Sequence, residues 1–143
     1  MIKTIQNLCT FLAETAVTVQ SVSAHLGELI TDQGGNLPLI VQPSDPAFVT
    51  AEIVRQFDTQ NPAHVELKVA DTATLSVADL TKAFGAYRQV PQMRPSKPTR
   101  IQFAVDIPGK SHTCTLIANM APDTKEMAQG NVSSLIIRRD ERL

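Results

Sequence analysis

His112 and Cys114 stand two residues apart in the run HTCTLIANM, residues 112–120. On a β-strand that spacing puts both side chains on one face. A thiol beside an imidazole is the pairing a nucleophile and its base require, and equally a pair of soft metal ligands. The four-residue turn PGKS at 108–111 sets Val105 opposite Cys114 and leaves His112 at the rim of the sheet. Cys114 shares its face with Leu116, Ala118 and Met120, so that face points at a core. No acid is placed to orient the imidazole, because Asp106 belongs to the opposite face. His112 and Cys114 therefore stand as ligand-binding candidates beside a pocket, with no catalytic residue, no metal site and no cofactor assigned.

A second group of candidates is cationic. The stretch YRQVPQMRPSKPTRIQF, residues 87–103, holds Arg88, Arg94, Lys97 and Arg100 among three prolines. Within it, Pro95 to Arg100 fits the P-x-x-P-x-R pattern of a polyproline ligand, which must dock as an exposed extended helix. Proline cannot donate to a sheet ladder, and the four cations keep the segment solvated. Residues 86–99 thus read first as a stiff, basic connector. A partner for this loop would be an acidic protein surface or a phosphate.

The same cations belong to a wider asymmetry. Residues 1–80 carry three cations against nine acids, and residues 81–143 carry ten against five, within a net charge of −1. The basic region from Lys82 to Lys110 suits weak anion or nucleic-acid binding. Its cations are spread over a helix, a loop and a strand, so few reach phosphates together, and nucleic acid is not the expected partner. The absence of Trp and the single tyrosine, Tyr87, also argue against stacking platforms for single strands.

Several elements must position these residues. Ile5, Leu8, Leu12, Val19, Val22, Leu26 and Leu29 recur at helical steps, predicting a helical N-terminal segment over residues 1–30 that stops at Gly34–Gly35. The β-branched TAVTVQSVS within it makes residues 15–30 readable as a strand after a break near Glu14. Leu39–Val41 is a short extended piece. AFVTAEIVRQF, 47–57, reads as a short helix opened by Pro46. HVELKV alternates strictly, with His64, Glu66 and Lys68 on the solvent face of a strand. Ser76 and Asp79 form a capping box for a helix that Gly85 closes. Strands at 100–107, 112–120 and 132–139 complete a meander, with Asp123 and Glu126 in capping-box spacing between the last two. No internal repeat is evident. The fold class is α+β: a single domain with an N-terminal helix and one or two more on an antiparallel sheet of about four to five strands.

No glycine-rich phosphate loop, G-x-S-x-G, H-E-x-x-H or paired-cysteine motif occurs, which leans against an enzyme. Cys9 and Cys114 read as two free, buried thiols. The N-terminal run is too polar for a signal peptide and no segment nears the length of a membrane helix, so a cytoplasmic location is expected. Asn131-Val132-Ser133 fits a glycosylation sequon that has no meaning there. The reading is a non-enzymatic protein-binding module: an adaptor, inhibitor, immunity-type or chaperone-like protein. Its partner is another protein or a second copy, the homodimer forming through residues 5–29, and not a membrane. The alternative is a small-ligand-binding protein or enzyme with its pocket near His112 and Cys114. Replacing Pro95 and Pro98 by alanine should shift stability by about 1 kcal/mol. Leu116→Ala, on the core face of its strand, should cost roughly 2–5 kcal/mol. Urea denaturation of the two variants checks the contrast.

Overall fold

The apolar stripe at the N-terminus does form a helix, α1, over Ile2–Leu12, with Ile5, Leu8, Cys9 and Leu12 buried. It does not continue to residue 30. Thr18 accepts a hydrogen bond from the Ser21 backbone while Ser21 returns one to Thr18, and this capping box starts a second helix, α2, at Val19–Leu26. The intervening carbonyls are taken up by a side chain from the far end of the chain, described below. After α2 the chain turns at Gly27, where a Cβ would collide with the Gln42 carbonyl, and continues as strand β1, Gly27–Thr31. Gly34 and Gly35, expected to stop a helix, instead turn a hairpin at positive φ (74° and 58°).

This structure, a computed structural model, describes residues 1–90, 100–122, 124 and 126–142. The strands after β1 are β2 (Leu39–Pro43), β3 (Phe48–Arg55) and β4 (Pro62–Val69). Helix α3, Val77–Phe84, has the capping box of Ser76 and Asp79 and the closing glycine, Gly85, read from sequence. Then come β5 (Arg88–Gln89), β6 (Arg100–Val105), β7 (His112–Met120), a 3-10 turn at Met127–Gln129, and β8 (Val132–Glu141). The segment 47–57 is a strand and not the short helix that its ambiguous period allowed. Its residues pair on both sides, Ala51 with Val41 and Leu67, and two ladders outweigh a marginal local preference. Asp123 lies outside the described residues, and with it the expected capping box.

All eight strands join one antiparallel sheet in the order β1-β2-β3-β4-β8-β7-β6-β5. That is more than the four to five expected, because β1 falls where the sequence suggests the end of the N-terminal helix and β3 where it suggests a short helix, while β2 grows from the expected extended piece at Leu39–Val41. The order is a palindrome. An eight-residue helix with a capping box and a glycine C-cap precedes a four-strand meander twice, as α2 with β1–β4 and as α3 with β5–β8. The two meanders meet where β4 pairs with β8, Val65 facing Ile137 and Leu67 facing Leu135. The repeat is one of architecture that the residues themselves do not advertise.

The three helices lie against one face of the sheet, α2 over β1–β3, α1 over β7 and β8, and α3 over β6. Between the layers lies one aliphatic core that includes Leu8, Leu12, Val22, Ile53, Leu67, Leu80, Phe103, Leu116 and Ile137. The stripe from Ile5 to Leu26 is buried within this core, so it is the protein's own interior rather than an open face. No described helix is long and apolar enough to cross a membrane.

Cys9 of α1 and Cys114 of β7 are joined as a disulfide, their Cα atoms 5.5 Å apart. The expectation of two free thiols is thereby corrected. Residues far apart in sequence give no hint of a bridge until α1 lies across β7. The bridge closes a loop spanning a sequence separation of 105, and a loop near that length restricts the unfolded chain by about 4–5 kcal/mol in the chain-entropy account. Urea denaturation with and without reductant should show a loss approaching that size. Thiol titration of the denatured, unreduced chain should find no free thiol.

Candidate functional site

Of the sequence-derived candidates, Cys114 is bridged and buried, so it is not available as a nucleophile or metal ligand. Val105 does pair with Cys114 and His112 does lie at the rim. There the imidazole belongs to a structural cluster. Arg139 of β8, only 9% exposed, donates from Nε to the Leu12 carbonyl (2.7 Å) and from Nη2 to those of Glu14 (2.8 Å) and Thr15 (3.2 Å). It thus satisfies the orphan acceptors at the end of α1. The His112 backbone N–H donates to the Ala13 carbonyl (3.3 Å), Thr15 donates to Ser111 Oγ (3.0 Å), and Lys110 pairs with Glu14. The Ser111 hydroxyl lies 2.7 Å from His112 Nδ1. These contacts hold the link between α1 and α2 on the sheet.

Burial, and next the Arg139 guanidinium, hold the His112 imidazole below its ordinary pKa, against an opposing pull from Glu141. No set of three or more potential metal ligands is grouped among the described residues.

Of the cationic candidates, Arg88 and Arg100 fall on the opposite face. The described helices cover one side of the sheet, and the registers lay out the other side as rows that run across the strands. One row reads Glu52, Glu66, Ile136, Ile117, Gln102, Arg88 from β3 to β5. The next reads Thr50, Lys68, Ser134, Asn119, Arg100. Arg88 and Arg100 thus close two adjacent rows at the β5–β6 side. Lys97 and Arg94 lie outside the described residues, as does most of the connector.

Between these rows the sheet carries a groove of about 400 Å3 that crosses the β4/β8 seam, lined by Glu52, Glu66, Lys68, Arg100, Asn119 and Ile136 among others. Half-buried Ile136 lines it, and Ile117, also half-buried, stands beside Ile136 on the adjacent strand. The groove lining carries two acids, Glu52 and Glu66, and two cations, Lys68 and Arg100. Glu52 and Glu66 are direct cross-strand neighbours, an arrangement in which like charges repel. Among the described residues the ion contact of Glu66 is with His64, at 3.8 Å. Among the described residues Glu52, Lys68, Arg88 and Arg100 make no ion pair. The sequence placed His64, Glu66 and Lys68 on the solvent face and stopped there. Their meeting with Arg100 and Asn119 depends on β8 inserting between β4 and β7, which local pattern does not encode.

Comparison with protein-family models, with characterised proteins and with solved structures finds no match. The site is therefore interpreted from its own chemistry.

The His112 cluster has a pH signature. The unfolded chain takes up the imidazole proton near its ordinary value of about 6.5, whereas the native chain resists it. Stability is then full above that value and falls as pH drops below it, until the native imidazole protonates as well. Asp45, held low chiefly by the Thr4 hydroxyl, and Asp32, held low chiefly by Arg55, add a further loss in more acid solution. The melting temperature should fall between pH 7 and pH 5, and His112→Gln should flatten that part of the profile in a calorimetric titration.

Proposed function

We propose that this chain is a protein-binding module that receives a polypeptide partner on the helix-free face of its sheet. The observation that carries the reading is the groove across the β4/β8 seam, in which Glu52 and Glu66 stand side by side and Glu52, Lys68 and Arg100 make no ion pair among the described residues. A solvated sheet face needs no separation of charge. Here acids sit at one end of a row and a cation at the other, with two isoleucines between. Glu66 and Arg88 are four strands apart, roughly 19 Å at the usual inter-strand spacing, a span suited to a protein segment rather than a small metabolite. The matching partner offers a cation to Glu52 and Glu66, aliphatic side chains to Ile136 and Ile117, and an anion to Arg88 and Arg100. Such complementarity fixes register and orientation more than raw affinity. An adaptor, inhibitor, immunity-type protein or specialised chaperone fits this description.

The buried bridge also bears on location. Disulfides persist in oxidising compartments and are rare in a reducing cytosol, so we place the working protein in the former and set aside the cytoplasmic expectation. That expectation rests on an N-terminal run too polar for a signal peptide and on no segment nearing the length of a membrane helix. Self-association through residues 5–29 finds no support in the burial of the stripe from Ile5 to Leu26, and of the basic region 82–110 Arg100 lines the groove while Arg88 ends the adjacent row.

Extracts of the source cells passed over immobilised, oxidised chain should yield a partner that is retained by the native sequence. That partner should be lost at least about tenfold by Glu52→Lys or by Lys68→Glu with Arg100→Glu, with folding unchanged to within about 0.5 kcal/mol. A partner retained equally by the charge-reversed chains would show that the groove is not the binding face.

A further inference from the structure

The opposite end of the β1–β4 half carries a second surface, which shares no lining residue with the groove. Five large apolar residues are exposed among the described residues, and four of them lie on β1 and the two turns at this corner. They are Leu29 (45%) and Ile30 (59%) on β1, Leu37 (50%) in the β1–β2 turn, and Phe57 (79%) in the β3–β4 turn. Isolated exposed apolar residues are ordinary, whereas their collection on one corner marks an interaction surface.

The corner is also built to hold its shape. Arg55, 6% exposed, ends β3 and reaches into the β1–β2 turn. It donates from Nη1 to the carbonyls of Gly35 (2.7 Å) and Leu37 (2.8 Å), and from Nη2 to Asp32 Oδ1 (2.9 Å). Its Nε is buried without a partner, so the guanidinium is held there at a net desolvation cost. Asn36 and Asp58 tie the two turns through a reciprocal pair, Asp58 N–H to Asn36 Oδ1 (2.7 Å) and Asn36 Nδ2 to Asp58 Oδ1 (3.1 Å). Asp58 occupies the left-handed region at φ 58°, which few residues other than glycine adopt. The Gln60 carbonyl accepts from the Val19 N–H, fixing the second turn to α2. A turn pinned by a buried guanidinium presents Leu37 and Phe57 with little ordering left to occur on binding.

The charge around the corner selects the occupant. Between residues 26 and 61 the only cation is Arg55, and it is neutralised by Asp32. Glu28 and Asp58 are exposed and in no ion pair among the described residues. The nearest cation on the adjoining strands, Arg138, is held by Asp140. A two-fold contact with a second copy would set these acidic rims against each other, and an anionic bilayer would be repelled in the same way. From this we infer that the Ile30–Leu37–Phe57 corner is a docking point for a basic amphipathic protein segment, Phe57 entering its apolar face and Asp58 meeting its lysines or arginines.

The test uses the full, oxidised chain and two fluorescent peptides, one an amphipathic helix of leucine and lysine, the other of leucine and glutamate. Fluorescence anisotropy should show binding of the lysine peptide, weakened at least about tenfold by Phe57→Ser or Leu37→Ser and weakened further as salt is raised. Val49→Ser, which removes the fifth exposed apolar residue away from the corner, should leave the affinity unchanged. Equal binding of both peptides overturns the inference, and so does lysine-peptide binding that ignores Phe57→Ser. Dimerisation seen by light scattering and abolished by Phe57→Ser would make a second copy the occupant and overturn it too. Binding to anionic phospholipid vesicles lost in the same variant would do so in favour of a membrane. Both serine variants keep Arg55 and its tie to the turn, and an unchanged melting temperature separates lost docking from lost fold.

Discussion

The pairing of β4 with β8 is the constraint on which the rest of this protein depends. Each half supplies a four-strand meander and a short helix, and neither helix-covered half would bury enough apolar surface to offset the entropy of ordering it. Joining them through Val65 with Ile137 and Leu67 with Leu135 makes one sheet and one core. The same pairing creates the groove, because Lys68 and Ser134 become neighbours only at that seam. Stability and site arise from one set of backbone hydrogen bonds.

Helix α1 stands outside the two-fold arrangement of the halves and is fastened by other means. Its apolar face lies over β7 and β8, its Cys9 is bonded to Cys114, and its last carbonyls are received by Arg139. Two ends of the chain thus close over the centre of the sheet. The arrangement resembles that at the far corner, where Arg55 receives the carbonyls of the β1–β2 turn. In both places a buried arginine supplies several donors to a backbone segment that has no ladder of its own. A guanidinium suits this task because its several donors are fixed in one planar fork.

The two faces of the sheet divide the labour. The helix-covered face holds the aliphatic core, and the open face holds polar and charged residues with a pair of isoleucines. Antiparallel sheets tolerate one wet face, so exposure alone assigns no role to it. What distinguishes this face is the row that runs from Glu52 and Glu66 through Ile136 and Ile117 to Arg88, acids at one end and a cation at the other.

The residues by themselves determined the elements whose signals are local. The alternation of HVELKV, the capping box from Ser76 with its closing Gly85, the strands at 100–107, 112–120 and 132–139, and the first turns of α1 all follow from periods and caps that a few neighbours specify. Even the pairing of Val105 with Cys114 came from the length of one turn. Tertiary structure alone decided the rest. Whether residues 14–26 continue a helix depends on Arg139, more than a hundred residues away, and on which apolar face the sheet will accept. The segment 47–57 has a period that fits helix or strand, and partners on both sides settled it. The bridge of Cys9 to Cys114 and the meeting of Glu66, Lys68, Arg100 and Asn119 need strand order, which is set by contacts between distant segments. A side chain's face is written in its immediate neighbours, but what it meets across that face is written only in the packed chain.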